Sequence, residues 1–339
     1  MTWQTLVGAE QVADRLGDPR LLVFDCRYEL ARPKAGREAY LRGHLPGAIH
    51  ADLHHDLAGP TSLTSGRHPL PDPQVFAARL RRWGVADDSL LLAYDDATSM
   101  WASRFWWMTA KWLGHRHVAV LDGGMRRWLQ LGLPTTTDPA PSRPAGDFAA
   151  RPDTRAYVDA DTTQAAALDP QRRVLDARAA ERYRGEVEPI DPVAGHVPGA
   201  LNHPSSRVVA ADGRFLPPTE LASAFSQILG PVAPADTITM CGSGVTACHL
   251  LLAMEHAGLD KREVGDQRAH HRHLLDAADQ VEVRRVVLVD DRRAGGPAGI
   301  HQHVDLVAAQ AGRGAEGFRQ GDLGGRLGLG LVLAAVVEK

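Results

Sequence analysis

Cysteine is scarce in this chain: Cys26, Cys241 and Cys248 are the three among 339 residues. So few cysteines, with no even set to pair, exclude a secreted disulfide scaffold and favour a reducing compartment such as the cytoplasm. The chain also lacks a run of about 18 apolar residues that could span a membrane, and its first residues lack the basic start and apolar stretch of a secretion signal. We therefore expect a cytoplasmic protein with no membrane partner, in which a free cysteine can act as a nucleophile.

An excess of charge of either sign is also missing. The 38 Lys and Arg residues nearly balance the 41 Asp and Glu residues, and the net charge is -3. No basic stripe of the kind that contacts nucleic acid stands out, so no nucleic-acid partner is expected. The length and a hydrophobic content of 44% are typical of about two globular domains.

An internal repeat organises the first 260 residues. Apolar, strand-like runs at 21–24 and 173–175 are each followed by a Gly-His-x-Pro-Gly motif, which contains His44 in the first copy and His196 in the second. Each copy continues with a helical stretch opened by Leu-Pro and then with a second apolar run, at the same spacing. Short strands that alternate with helices predict two tandem α/β domains, each a largely parallel sheet flanked by helices.

The repeat also predicts domain boundaries. Residues 5–134 make the first domain, residues 156–260 make the second, and the Pro-, Thr- and Ala-rich segment 135–155 is the linker. Residues 261–339 break the pattern, because they contain a single aromatic residue, Phe318. We interpret them as an atypical tail, frameshifted or poorly ordered, in which the run 282–289 could supply a substitute strand.

The two copies differ where the second strand meets the next helix. The first copy has Asp95 there, and the second has Cys241 followed by Gly-Ser-Gly-Val-Thr. Ligands of open α/β sheets bind beyond the carboxyl ends of the strands, and a helix N-terminus favours a thiolate. The two glycines let backbone N–H groups converge on one anion. Cys241 is thus the predicted nucleophile, and the first domain is expected to be catalytically silent.

The other cysteines have simpler interpretations. Cys248 lies within the helix predicted at 245–256, and Cys26 follows a first-domain strand, so both are expected in the core. A phosphatase would also use a cysteine loop, but it needs a cation in the loop to hold the phosphoryl oxygens, and residues 242–247 contain no arginine. The aromatic cluster at 101–112 is expected to serve core and interdomain packing.

These motifs resemble the tandem rhodanese-like sulfurtransferases, the family of 3-mercaptopyruvate and thiosulfate sulfurtransferases, over residues 5–260. The resemblance rests on Cys-Gly-Ser-Gly-Val-Thr-Ala at 241–247, on Glu-Arg-Tyr-Arg-Gly at 181–185 and on the two Gly-His-x-Pro-Gly motifs. It implies that Cys241 takes sulfur from a small-molecule donor as a persulfide and passes it to a thiol, a thioredoxin-type protein or cyanide. No metal and no organic cofactor are implied.

The resemblance also implies a donor and a binding site. Thiosulfate-preferring members have basic residues after the cysteine; positions 242 and 243 are neutral here, which favours 3-mercaptopyruvate and leaves thiosulfate as the alternative. The family's donor-binding arginine corresponds to Arg182. A further arginine of the mercaptopyruvate-type relatives is missing from residues 188–192, and Arg184 could replace it. The implied substrate-binding residues are Arg182, Gly242, Ser243, Gly244, Val245 and Thr246.

Two further expectations concern the histidines and the tail. His44 and His196 recur in both copies although only one copy has the cysteine, so both should hold the turn before Pro-Gly rather than relay protons. Because the end of the second domain departs from the family pattern, the alternative to an active enzyme is a catalytically impaired rhodanese-like module that binds partners.

Overall fold

The computed structural model describes residues 3, 5–62, 65–191 and 193–259, together with the backbone of two strands in the tail. The first domain has the elements β1 Leu6–Val7, α1 Ala9–Ala13, β2 Leu21–Asp25, α2 Ala35–Arg42, β3 Ile49–His50, α3 Pro73–Arg82, β4 Leu90–Tyr94, α4 Met100–Trp106, a π-helical turn Trp107–Trp112, β5 Val118–Leu121 and α5 Gly124–Gln130. The second has α6 Ala160–Leu168, β6 Arg173–Asp176, α7 Ala180–Tyr183, β7 Leu201–Asn202, α8 Pro218–Leu229, β8 Thr237–Cys241, α9 Val245–His256, β9 Glu282–Val286 and β10 Leu333–Glu338, with short 3-10 turns at Thr154–Ala156, Ser205–Val208 and Pro234–Asp236.

Each domain is built on one five-stranded sheet. The first sheet has the order β1-β5-β4-β2-β3, and all its strands are parallel. In the second sheet the order is β7-β6-β8-β10-β9, so β7, β6 and β8 repeat the arrangement of β3, β2 and β4. Every residue of β4 and of β8 is buried, as expected for apolar runs in the middle of a parallel sheet. The predicted pair of α/β domains is confirmed.

The end of the second sheet differs from the first. Beside β8 lies β10, which is antiparallel, whereas the equivalent β5 is parallel to β4. The substitute strand expected at 282–289 forms as β9, but at the sheet edge, paired to β10 rather than to β8. The rest of the tail 261–339, and with it the frameshift hypothesis, lies outside the described residues.

A repeated set of hydrogen bonds explains the Gly-His-x-Pro-Gly motifs. In the first domain Arg27 binds Asp25 at the end of β2 and donates to the carbonyl of Gly43 (2.8 Å). His44 stacks on Tyr40 with ring centroids 3.9 Å apart, and its two nitrogens contact the carbonyls of Tyr40 and Asp138. With both ring nitrogens held by backbone, His44 fixes a turn, which supports the structural interpretation.

The second domain repeats most of this arrangement. Arg178 binds Asp176 and donates to the carbonyl of Gly195 (2.6 Å). His196 stacks on Tyr183 at 3.7 Å and contacts its carbonyl through Nδ1. The motif therefore serves the fold in both copies.

The two domains share a continuous hydrophobic core. Helices α4 and α9, which follow the equivalent strands β4 and β8, pack against each other. His249 of α9 reaches the carbonyl of Thr98 through Nε2 (2.7 Å), and the amide of Phe215 donates to Oδ1 of Asp122 (2.9 Å). Trp106 and Trp107 are fully buried in this core, as the aromatic cluster predicts.

The segment 135–155 is pinned to the first domain along its length. Thr136 forms a bridge with His44, Phe148 is buried, and the amide of Arg151 donates to the carbonyl of Leu113. The boundaries of the predicted linker stay a prediction. In the part of the chain that the structure describes, none of the helices has the length and apolar character needed to cross a bilayer.

Candidate active site

Cys241 is the last residue of β8 and lies directly before the turn into α9. The cysteine is 2% exposed, and the backbone N–H of Gly244 donates to its Sγ over 3.0 Å. Gly244 has φ 76°, a left-handed conformation that glycine adopts without steric cost, and it precedes the first residue of α9. The turn thus directs one backbone amide at the sulfur, at the positive end of a helix.

The remaining loop residues line the same turn. Gly242, Ser243 and Thr246 are half-buried, whereas Val245 is buried in the core. Cys248 is also in the core, where its thiol donates to the carbonyl of Gly244 (3.0 Å). Burial raises the pKa of Cys248 to about 12, although the nearby charge of Arg104 lowers it. Cys248 is thus a protonated structural thiol, as the sequence predicts.

Arg182, the donor-binding arginine implied by the resemblance, is already occupied in this structure. Its guanidinium binds both carboxylate oxygens of Glu188 (2.7 and 3.0 Å) and Oδ2 of Asp191 (2.7 Å). Arg178 lies on the other side of Glu188, at 3.6 Å. Burial opposes the charge of Arg178, but its bond to Asp176 and the nearby Cys241 raise its pKa.

Arg184 does not enter this site. It is exposed and pairs with the exposed Glu186, with Nε 2.6 Å from Oε1. The expectation that Arg184 replaces the missing arginine is therefore wrong, because a four-residue helix places Arg182 and Arg184 on different sides.

The first domain contributes the missing cation through Arg67. Its guanidinium forms an ion pair with Asp191 of the second domain. A methyl group added to Gly242 would lie 2.5 Å from Oδ2 of Asp191 and 2.7 Å from Nη2 of Arg67, so this pair covers the backbone next to Cys241. Burial lowers the pKa of Arg67, whereas the adjacent Cys241 raises it.

A second cation of the first domain lies beneath the loop. Arg104 of α4 is fully buried, and its Nη2 donates to the carbonyls of Leu57 (3.3 Å) and His68 (3.1 Å). Burial lowers the pKa of Arg104, and its interactions with Cys248 and Cys241 raise it. A buried cation of this kind favours negative charge at the loop.

Sequence reasoning missed Arg67, Asp191 and Arg104 because their roles depend on contacts between the domains. One signal was available. A Gly-Arg pair precedes the Leu-Pro that opens α3 and α8, so Arg214 is the repeat partner of Arg67. A methyl group added to Gly213 would lie 3.0 Å from the carbonyl oxygen of Ala97 in the silent loop, and one added to Gly242 would lie 2.7 Å from Nη2 of Arg67. Each domain therefore places a Gly-Arg segment across the loop of the other.

The site contains charged groups that suit an anionic donor and no set of metal ligands. Arg67, Arg178 and Arg182 face Asp176, Glu188 and Asp191 around Cys241. Across the described ranges, no cluster of His, Cys, Asp and Glu side chains could hold a metal ion.

Comparisons with known proteins identify the family of this chain. The model of the rhodanese-like domain matches residues 8–131. Over 260 residues the chain is 46% identical to a Pseudomonas aeruginosa protein named as a 3-mercaptopyruvate sulfurtransferase, covering 76% of this chain and 91% of that one. Over 259 residues it is 36% identical to SseB of Mycobacterium tuberculosis, named as a thiosulfate sulfurtransferase, covering 76% and 90%.

A solved structure is similar in sequence and in fold. The crystal structure of SseA from Escherichia coli, a 3-mercaptopyruvate sulfotransferase with the rhodanese fold, superposes with a TM-score of 0.65 at 34% identity, covering 76% of this chain and 95% of that one. The chain belongs to the rhodanese-like sulfurtransferases, the family that includes the 3-mercaptopyruvate and thiosulfate sulfurtransferases.

Proposed function

We propose that this sulfurtransferase uses Cys241 as its nucleophile and 3-mercaptopyruvate as its preferred donor. The observation that carries the proposal is the hydrogen bond from the Gly244 amide to Sγ of Cys241, at the N-terminus of α9. An amide and a helix N-terminus stabilise a sulfur anion, which is the reactive form.

In the first half-reaction the Cys241 thiolate attacks the sulfur of 3-mercaptopyruvate. The new S–S bond forms as the donor's C–S bond breaks, and the electron pair of that bond goes to the carbon, which leaves as the enolate of pyruvate and takes up a proton. The protein keeps a persulfide, with the donor's hydrogen on the outer sulfur. The amide of Gly244 acts before this step, because it stabilises the thiolate that attacks.

In the second half-reaction a thiolate acceptor attacks the outer sulfur and leaves as its own persulfide, while Cys241 returns as a thiolate. A small thiol, a thioredoxin-type protein and cyanide are all acceptors of the required chemistry. A cytoplasmic location, where thiols are kept reduced, is part of this proposal.

The preference for 3-mercaptopyruvate over thiosulfate rests on charge. Residues 242 and 243 carry no cation, and the three arginines around Cys241 are matched by three carboxylates. Such a balanced site suits a monoanion better than the compact thiosulfate dianion. No observation favours the alternative of a catalytically impaired module.

Steady-state kinetics with both donors test the proposal. With a thiol acceptor, kcat/KM should be higher for 3-mercaptopyruvate than for thiosulfate, and Cys241→Ser should abolish transfer from both. Cys26→Ala is the matched control, because Cys26 is buried in the first domain away from the loop, and it should retain transfer. Faster transfer from thiosulfate would overturn the donor assignment, and transfer by Cys241→Ser would overturn the nucleophile.

A further inference from the structure

A carboxylate of the protein itself lies next to the nucleophile. Asp191 accepts from Nη2 of Arg182 (2.7 Å) and pairs with Arg67 from the other domain, directly above Gly242. Two guanidinium groups around one carboxylate, beside the reactive cysteine, form the arrangement that would hold the carboxylate of an α-keto acid donor.

We propose that Asp191 occupies the place of the donor's carboxylate, that Arg67 and Arg182 together form the anion site, and that the donor binds by displacing Asp191. This inference rests on the proposed function and adds a first-domain residue to the donor site.

The burial of Cys241 supports a displacement. The cysteine is 2% exposed, so a donor can reach Sγ only if a neighbouring group moves. Asp191 lies in an irregular segment between α7 and the Gly-His-Val-Pro-Gly turn, close to exposed Ile190 and Val193. Segments with few buried apolar contacts open at low cost.

The state of Arg67 also indicates a binding role. Its Nε is buried and has no hydrogen-bond partner among the described residues, so the guanidinium retains an unused donor. Its repeat partner Arg214 is exposed and pairs with Asp212 of its own loop, over the copy that has no cysteine. Of these two arginines, the one near Cys241 is half-buried with an unused donor, and the other is exposed.

Competition between Asp191 and the donor should change the apparent affinity of the protein for the donor. The apparent affinity of a donor falls by the fraction of molecules whose site is open. If Asp191 fills the site in about nine molecules of ten, its removal should strengthen donor binding about tenfold. Loss of Arg67 should act in the opposite direction, because a charged hydrogen-bond partner of the donor disappears.

The test uses Asp191→Asn and Arg67→Met with two readouts. The first is the KM for 3-mercaptopyruvate. The second is the concentration of pyruvate that protects Cys241 from iodoacetamide, which needs no sulfur transfer. Glu186→Gln and Arg184→Met are matched controls, because they make the same charge changes in an exposed ion pair outside the site.

Asp191→Asn should lower the KM for 3-mercaptopyruvate and the protecting concentration of pyruvate about tenfold. Arg67→Met should raise both about tenfold or more. Arg67→Lys should recover part of the affinity, since lysine keeps the charge but cannot make the two parallel hydrogen bonds of a guanidinium to a carboxylate. Unchanged or higher values for Asp191→Asn would overturn the proposal, even if Arg67→Met is unstable. If the wild-type protein is protected by pyruvate but transfers no sulfur, the proposed function fails while this site stands.

Discussion

The backbone N–H of Gly244 lies 3.0 Å from Sγ of Cys241, in a turn that requires a left-handed residue. Gly244 has two roles, because it lies at the start of α9 and its amide also donates to the sulfur. A change at this position should therefore affect catalysis more than stability.

We expect Gly244→Ala to reduce sulfur transfer about tenfold or more, since an alanine at φ 76° shifts the amide that donates to Sγ. The strain of a left-handed alanine should also cost about 1 kcal/mol of unfolding free energy. Gly132→Ala is the control, because Gly132 has φ 64° and open space around it. It should lose similar stability in urea unfolding and keep full activity. Equal activity losses in both variants would contradict this role of Gly244.

Gly242→Ala should separate donor binding from folding. The new methyl group would meet Oδ2 of Asp191 and Nη2 of Arg67, which are the ends of flexible side chains and can move aside. The unfolding free energy should change by less than about 1 kcal/mol, whereas the KM for 3-mercaptopyruvate should rise several-fold. Gly17→Ala, which meets nothing within 4 Å, should change neither quantity. A large loss of stability with a normal KM would contradict the assignment.

The interface between the domains should weaken in acid because of His249. This histidine is fully buried, its Nε2 contacts the carbonyl of Thr98, and burial lowers its pKa to about 4. The unfolded chain takes up a proton near pH 6.5 and the folded chain does not, so stability is present above pH 6.5 and is lost as the pH falls toward 4. Between pH 6.5 and 5 the loss from this residue should be about 2 kcal/mol.

Urea unfolding at pH 7.5 and 5.0 measures this effect. His249→Gln should reduce the change of unfolding free energy with pH, since glutamine cannot be protonated. His55→Gln, at an exposed position, is the control and should leave that change as it is. His68 and His203 are also buried with pKa values lowered by burial, to about 3 and about 4, so some acid sensitivity remains in the variant. An unchanged slope in His249→Gln would contradict the prediction.

Much of the fold is local and could be predicted. Helix α9 spans Val245–His256 as predicted, because the glycines before it and the apolar run within it mark its start and extent. Strand β8 ends at Cys241 itself, so the predicted nucleophile is the last residue of the strand. The repeat also predicts two copies of one α/β domain, and β7, β6 and β8 repeat the arrangement of β3, β2 and β4.

What sequence could not predict is non-local. Asp191 lies in residues 188–192, where the family pattern has an arginine that this chain lacks. Its partner Arg67 belongs to the other domain. The two residues meet because the domains pack against each other, in part through α4 and α9. The antiparallel placement of β10 is non-local in the same sense, because strand pairing depends on contacts far apart in the chain.

The most direct test of the account is the mass of the peptide that contains Cys241 after brief exposure of the folded protein to 3-mercaptopyruvate. We predict a gain of one sulfur atom on Cys241 alone, which disappears when a thiol acceptor is added and is absent in Cys241→Ser. An unmodified Cys241 in folded protein, or sulfur found instead on Cys26 or Cys248, would contradict the central claim.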